Sequence, residues 1–322
     1  MVEQTTRVLI TGITGQDGGY LADQLTIGGA EIHGLVRDGD QTAQDLVDRV
    51  PQARLHTGDL TDTDAMAGLI GELRPDEIYN LAGISSVAQS WVEPMATGRV
   101  TGLAVAGLLE AAWRQADSGH PVRFVQASSA EMFGNPSSSP QNERTTIAPV
   151  SPYGAAKAFA HHLVGVYRGR GLHASTTILY NHESPRRPPM FVTRKITQAA
   201  ARIAGGATEP LSLGNLDALR DWGWAPDYVD AMVRAARHDE PGDYVIATGA
   251  AHSVRDFVAA AFAAAGIVEW QPHVRVDPAF FRPVDAVDLT GDATVARDLL
   301  GWQPTVQFEQ IVARMVEVDL HA

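Results

Sequence analysis

Cysteine is absent from the 322 residues, which excludes disulfides, thiolate nucleophiles and Cys-ligated metals. Positive charge is scarce: 25 Lys and Arg stand against 38 Asp and Glu, for a net charge of −13. Phosphate-rich surfaces recruit clustered basic groups, so neither a nucleic acid nor an anionic membrane is expected as a partner. A small anionic ligand needs only a few local cations and stays open. Long apolar runs are missing too, since charges interrupt the Ala-rich stretches within a few turns, which argues against a membrane span. No internal repeat, low-complexity tract or flexible linker stands out. The pairs His161-His162 and His182-Glu183 lack HExxH spacing, so no metal is expected. Met1–Arg7 runs into an apolar strand without a leader pattern, which predicts a cytoplasmic protein.

What is present is an ordinary globular composition, 45% hydrophobic and 20% charged, in a chain long enough for a large core and a smaller lobe. The first half alternates short apolar strands with amphipathic helices. Strands are predicted at Arg7–Thr11, Glu31–Val36, Arg54–Thr57, Glu77–Leu81, Arg123–Ala127 and Ala174–Leu179. Helices are predicted at Tyr20–Gly28, Ala65–Leu73, Gly102–Ala116 and Ala155–Arg168. This alternation predicts an α/β fold with a doubly wound parallel sheet of Rossmann type. After Asn181 the rhythm loosens into Pro- and Arg-rich loops. We therefore expect a dinucleotide-binding domain over 1–180, to which segments within about 219–248 return, and a smaller, discontinuous α/β lobe over 181–322. Tryptophans such as Trp222 and Trp224 are expected as packing or loop anchors.

Gly12, Gly15 and Gly18 form a GxxGxxG pattern between the first strand and its helix. Such a turn lets backbone N–H groups approach a pyrophosphate at a helix N-terminus, although a tight structural turn reads the same way. Later strand ends support a dinucleotide. Arg37 follows the second strand, Asp59-Leu60 the third, and Leu81-Ala82-Gly83 closes the fourth. An arginine after the second strand suits the 2′-phosphate of NADP and an acid suits the 2′-hydroxyl of NAD. Arg37-Asp38 offers both, with NADP the leaning and NAD possible.

Tyr153 and Lys157 are four apart, hence on one helix face. A lysine beside a phenol is expected to lower its pKa, giving a base for oxidation of a secondary alcohol. Ser129 ends an apolar strand at the ligand-binding edge, where its hydroxyl can orient the same oxygen. Glu131, two residues on, is placed to remove a proton next to a newly formed ketone and to help expel a β-hydroxyl. A loop-capping carboxylate is its plain alternative.

Together these elements resemble the extended short-chain dehydrogenase/reductase family, and within it the GDP-mannose 4,6-dehydratases. The narrower resemblance rests on TGITGQDGGYLADQL from Thr11, SPYGAAK from Ser151, NHESPRR from Asn181 and FVTRKI from Phe191. It continues in LGNLDALRDWGWAPDYVDAM from Leu213, VIATGAAHSVRDFV from Val245 and FRPVDAVDLTGD from Phe281, covering nearly the whole chain.

The resemblance implies Ser129, Glu131, Tyr153 and Lys157 as the catalytic set. Thr14, Gln16, Asp17, Ser85, His182 and Arg187 join the cofactor residues. Ser85, Glu131, Asn181, Val192, Lys195, Leu213, Asn215, Arg220, Arg282 and Asp285 are the implied nucleotide-sugar contacts. The implied reaction oxidises GDP-mannose at C4, eliminates water across C5 and C6, and returns the hydride to C6, in a homodimer or homotetramer. The segment after Val36, Arg37-Asp38-Gly39-Asp40-Gln41, departs from the family's usual two arginines and serine-rich stretch, and Phe133 and Asp285 replace a more usual tyrosine and glutamate. A C4 reductase or epimerase acting on another GDP-sugar (including a heptose or octose), a sugar-acid decarboxylase and a non-catalytic dinucleotide-binding regulator are the rival readings.

Overall fold

The computed structural model describes residues 5–281, 284 and 288–322. The first part of the chain runs β1 (Arg7–Thr11), α1 (Gln16–Ile27), β2 (Glu31–Val36), α2 (Ala43–Arg49), β3 (Arg54–Thr57), α3 (Thr63–Leu73) and β4 (Glu77–Asn80). It continues through α4 (Val87–Val92), α5 (Pro94–Thr97), a π-helical turn at Gly98–Leu103, α6 (Ala104–Asp117), β5 (Arg123–Ser129), α7 (Pro152–Gly169) and β6 (His173–Leu179). Then come β7 (Asn181–Glu183), α8 (Val192–Ala204), β8 (Leu211–Leu213), β9 (Leu219–Trp224), α9 (Ala225–Arg237) and β10 (Asp243–Ile246). The last elements are β11 (Ala251–Ser253), α10 (Val254–Ala264), β12 (Val274–Val276), β13 (Asp288–Leu289), α11 (Thr294–Leu300) and α12 (Phe308–Leu320).

Seven strands form one parallel sheet in the order β10-β6-β5-β4-β1-β2-β3. Its central strands are apolar on both faces because helices cover both, as a parallel sheet requires. One face carries Val8, Ile10, Tyr79 and Val125 under α1 and α9. The other carries Leu9, Ile78 and Phe124 under α3, α6 and α7. A third core, around Trp222, Phe257, Phe308 and Met315, gathers α8, α10 and α12 against β9. Trp222 is thus a packing residue, as expected of it.

Late segments split between the layers. β10 is the seventh strand of the large sheet and α9 packs on β5 and β6, whereas β9 pairs with β7, β11 and β13 in a separate small sheet. Asp221 on β9 stitches them together. Its buried carboxylate accepts from Thr248 N (2.9 Å), Thr248 Oγ1 (2.6 Å), Gly249 N (2.8 Å) and Gly291 N (3.3 Å).

Helix α1 starts at Gln16 rather than at Tyr20. Gly18 and Gly19 lower local helix propensity, and tertiary contact overrides it. A Cβ on Gly18 would stand 2.3 Å from Gly12 O and 2.6 Å from Ile13 Cα, so glycine is what lets α1 lie directly against the loop after β1. Helix α7 starts at Pro152, with Ser151 Oγ accepting from Gly154 N at 3.0 Å. That cap sets the Tyr153 turn at the C-terminal edge of the large sheet.

Candidate active site

The C-terminal edge of the large sheet brings four loops together. After β1, Gly12 turns the chain at φ +70°, and Gly15 N donates to Gly12 O at 3.0 Å. Helix α1 then begins without a side chain capping its first N–H groups, so those donors remain available to an anionic ligand. Close approach to β4 is also built in: a Cβ on Gly12 would meet Ala82 N at 2.8 Å. Thr14 Oγ1 donates to Asp40 Oδ2 at 2.8 Å. Arg37 and Asp59 are exposed beyond β2 and β3, Leu60 is buried, and Gly83 and Ser85 are exposed beyond β4. All the predicted dinucleotide residues of the first half therefore lie along one edge.

At the foot of α1, residues far apart in sequence interlock. His182 Nδ1 donates to Tyr180 O at 2.8 Å, and Nε2 meets Asp17 Oδ2 at 2.9 Å. A neutral ring has one N–H, already used on the carbonyl, so the second contact calls for imidazolium facing carboxylate. Burial, the largest single influence, pushes His182 down, but the Asp17 charge and hydrogen bond together with the Tyr180 carbonyl leave the imidazole pKa raised. Burial likewise pushes Asp17 up, and the charge and hydrogen bond of His182, with the Gln16 hydrogen bond and the Arg187 charge, together leave it lowered. Gln16 completes the clamp, donating to Asp17 Oδ1 (3.1 Å) and His182 O (3.1 Å) and accepting from Ser184 Oγ (2.8 Å).

Linkage gives the clamp a pH window. Because the folded pKa of His182 is raised, its contribution is full below the unfolded value and is lost as pH rises through the folded one. Because that of Asp17 is lowered, its contribution is present above the unfolded value and is lost as pH falls through the folded one. We expect Asp17→Asn to cost on the order of 1 kcal/mol inside this window and progressively less above the His182 pKa. Melting temperatures of both proteins across the pH range check this. A difference that stays constant through the alkaline limb would contradict it.

The catalytic candidates meet where β5 ends. Ser129 caps a 3₁₀ turn at Ala130–Phe133, its Oγ accepting from Glu131 N at 3.3 Å. Across the cleft, α7 carries Tyr153, whose phenol hydrogen-bonds the Ser129 hydroxyl. That phenol is pushed up to about 12: burial raises it most, the Ser129 bond acts against the rise, and the Glu131 charge adds to it. Lys157 Nζ donates to the Ala127 carbonyl at 2.7 Å and lies 5.8 Å from the Tyr153 ring centroid. Burial brings its pKa down to about 8. Lys157 is thus seated on the Ala127 carbonyl, and burial opposes charge on both the phenol and the ammonium.

The remaining candidates lie on the elements after β6. Asn181 opens β7, and Arg187 stacks on Phe191 at 3.8 Å and meets Glu183 at 3.3 Å. Val192 and Lys195 occupy the first turn of α8, with Lys195 Nζ 5.2 Å from the Phe280 ring centroid. Leu213 ends β8, Asn215 Oδ1 accepts from Asp217 N at 2.9 Å, and buried Arg220 donates to Leu219 O at 2.7 Å. Arg282 and Asp285 lie outside the described residues. Sequence reasoning passed over Thr11, Asn80 and Gln126, fully buried polar side chains beneath the site. Their signal was a polar residue inside an otherwise apolar strand.

A glycine turn between strand and helix, together with a serine, glutamate, tyrosine and lysine set at the same sheet edge, defines an enzyme of the extended short-chain dehydrogenase/reductase class. The family described as GDP-mannose 4,6 dehydratase matches residues 9–315. The chain belongs to that family. It is 44% identical to GDP-mannose 4,6 dehydratase 2 of Arabidopsis thaliana, over 99% of this chain and 88% of that protein. The human GDP-mannose 4,6 dehydratase is 43% identical over 97% of this chain and 91% of its own length. Among solved structures, the Thermus thermophilus UDP-glucose 4-epimerase complex with NAD superposes with a TM-score of 0.85 at 27% identity, covering 98% of this chain and 99% of that one.

Proposed function

We propose that this protein is a GDP-mannose 4,6-dehydratase that converts GDP-mannose to GDP-4-keto-6-deoxymannose and water. The observation that supports the reading is that Glu131 lies on the turn capped by Ser129, its backbone N–H on the Ser129 hydroxyl, with its charge felt at the Tyr153 phenol, as a second acid/base beside an alcohol-oxidising pair would be. A nicotinamide dinucleotide held along the β1, β2 and β4 edges, by Gly12, Gly15, Gly18, Arg37, Asp59 and Leu81–Gly83, supplies a hydride acceptor at C4 and donor at C6. The solved relative named above carries NAD. The expectation of NADP rests on Arg37. Lys157, His182 and Arg187 complete the proposed cofactor contacts.

In this reading Ser129 orients the C4 oxygen and Tyr153 takes its proton. Glu131 removes the C5 proton, acidified by the neighbouring ketone, and delivers a proton to the departing C6 hydroxyl, which leaves as water. Asn181, Lys195 and Arg220 hold the sugar nucleotide, with Ser85, Val192, Leu213 and Asn215 around it. Forked guanidinium donors suit diphosphate oxygens. The large lobe binds the dinucleotide and the lobe built on the small sheet binds the nucleotide sugar. We place the enzyme in the cytoplasm, as a homodimer or homotetramer. Among the described residues no helix is long and apolar enough to cross a membrane.

Incubating the purified protein with GDP-mannose and either NAD or NADP tests this directly. Mass spectrometry is expected to show loss of one water from the sugar nucleotide without net build-up of reduced cofactor. Unchanged GDP-mannose, from protein shown to bind the dinucleotide, would turn the assignment towards an epimerase or reductase of another GDP-sugar.

A further inference from the structure

Three polar side chains stand in one row across the large sheet. Thr11 on β1 is opposite Asn80 on β4, and Asn80 is opposite Gln126 on β5. All three are fully buried, among apolar strand neighbours such as Ile10, Ile78 and Val125. A buried amide is tolerated only when hydrogen-bond partners replace water. Here the partners form one directional chain. Ala82 N donates to Thr11 Oγ1 at 3.2 Å, and the Thr11 hydroxyl donates to Asn80 Oδ1 at 2.6 Å. Asn80 Nδ2 donates to Gln126 Oε1 at 2.8 Å, and Gln126 Nε2 donates to the Ala127 carbonyl at 2.9 Å. That same carbonyl accepts from Lys157 Nζ at 2.7 Å. Flipping either amide would set like against like, so the order of donors and acceptors fixes both orientations.

We propose that Thr11, Asn80 and Gln126 form a buried positioning row for Lys157, fixing the carbonyl that seats its ammonium and tying that seat to the Ala82 edge of β4. The row joins two parts of the site that the chain separates widely, the β4 edge where backbone passes Gly12 and the catalytic helix α7. It also shapes the electrostatics of the seat. The positive end of the Gln126 amide shares an oxygen with the ammonium and disfavours its charge. The groups facing Lys157 are Asp17 on α1, whose charge favours the ammonium, and Tyr153 on its own helix, which Glu131 in turn influences. The effect on turnover rests on the dehydratase reading, but the effect on the lysine itself does not.

Lys157 and Lys195 are the only lysines in the chain, so protein isotope-labelled at lysine Cε gives two resonances, assigned with Lys195→Arg. In Gln126→Met the Lys157 titration midpoint is expected to rise by about half a pH unit or more, because a competing donor has gone. Turnover of GDP-mannose should fall about tenfold while KM changes by less than about twofold, as displacement of a catalytic group predicts. Asn80→Ala frees the Gln126 amide to turn and should move both readouts the same way, and the double variant should go no further than Gln126→Met. If Gln126→Met does not fold, Thr11→Val removes the first hydroxyl isosterically and is read the same way. A Lys157 midpoint equal to wild type in a folded row variant would overturn the proposal. A shifted midpoint in a protein that never turns over GDP-mannose would support the row and count against the dehydratase reading.

Discussion

Glu131→Gln is expected to stop release of water from GDP-mannose while leaving the C4 oxidation step in place. The amide is nearly isosteric with the carboxylate but cannot take the C5 proton. General acid–base groups typically contribute about 10²–10⁴-fold, and in the proposed reaction one side chain serves both as base at C5 and as acid at C6. The expected loss in dehydrated product is therefore about 10³-fold or more. Two readouts separate this from a folding defect. Mass spectrometry of a single turnover should find sugar nucleotide that is oxidised but still carries its C6 hydroxyl. In heavy water, exchange of the C5 hydrogen should vanish. Water loss at even a tenth of the wild-type rate would remove Glu131 from the catalytic set and restore the simpler reading of a carboxylate that closes the turn after Ser129.

Tyr153→Phe should fail earlier and more completely. With the phenol oxygen gone, the proposed acceptor of the C4 hydroxyl proton is lost, so neither the ketone nor any product of elimination should form. The structure makes this residue's task demanding, since burial holds its pKa at about 12 and Glu131 adds a like charge nearby. The Ser129 hydroxyl is the hydrogen-bond partner acting against that shift. A loss of about 10³–10⁴-fold is expected, in the upper range for a general base. Binding of GDP-mannose should change by less than about threefold, since its proposed anchors lie on β7, α8 and β9. Tyr153→Phe and Glu131→Gln thus differ in kind: the first yields unreacted substrate, the second oxidised substrate that retains its water. If both variants stop at the same species, the two residues act as one unit and the division of labour between them is wrong.

Much of this arrangement was legible in the chain. Apolar runs such as RVLIT and RFVQA announce strands buried on both faces, because only a helix-covered parallel sheet accepts them. The residues Ser129, Glu131, Tyr153 and Lys157 are also readable, since strand ends and an i,i+4 helix spacing are local facts. Boundaries were harder where tertiary contact overrides propensity, as at α1, which starts before Gly18 and Gly19. Helix α8 lay unread behind the Pro- and Arg-rich run that precedes it. The outcome at Lys157 shows the limit most clearly. Spacing places the lysine on the same face as the phenol, but it carries no information about the Ala127 carbonyl that holds the ammonium.

What the sequence by itself determined is the set of local elements and the chemistry of their ends: a glycine turn fit for a pyrophosphate, a hydroxyl and carboxylate after one strand, a phenol and amine on one helix. Only the tertiary structure decided which ends meet. The sheet order β10-β6-β5-β4-β1-β2-β3 is not the chain order. It sets Thr11 beside Asn80 and Asn80 beside Gln126, while the packing of β7 beside α1 brings His182 against Asp17 across 165 residues of sequence. Strand periodicity reports which face a side chain takes and nothing about its neighbour on the next strand. Pairing between strands is a long-range choice, made by the packing of helices on both faces of the sheet. The seat of Lys157 is a property of those pairings, and the protonation of His182 a property of its tertiary contact with Asp17.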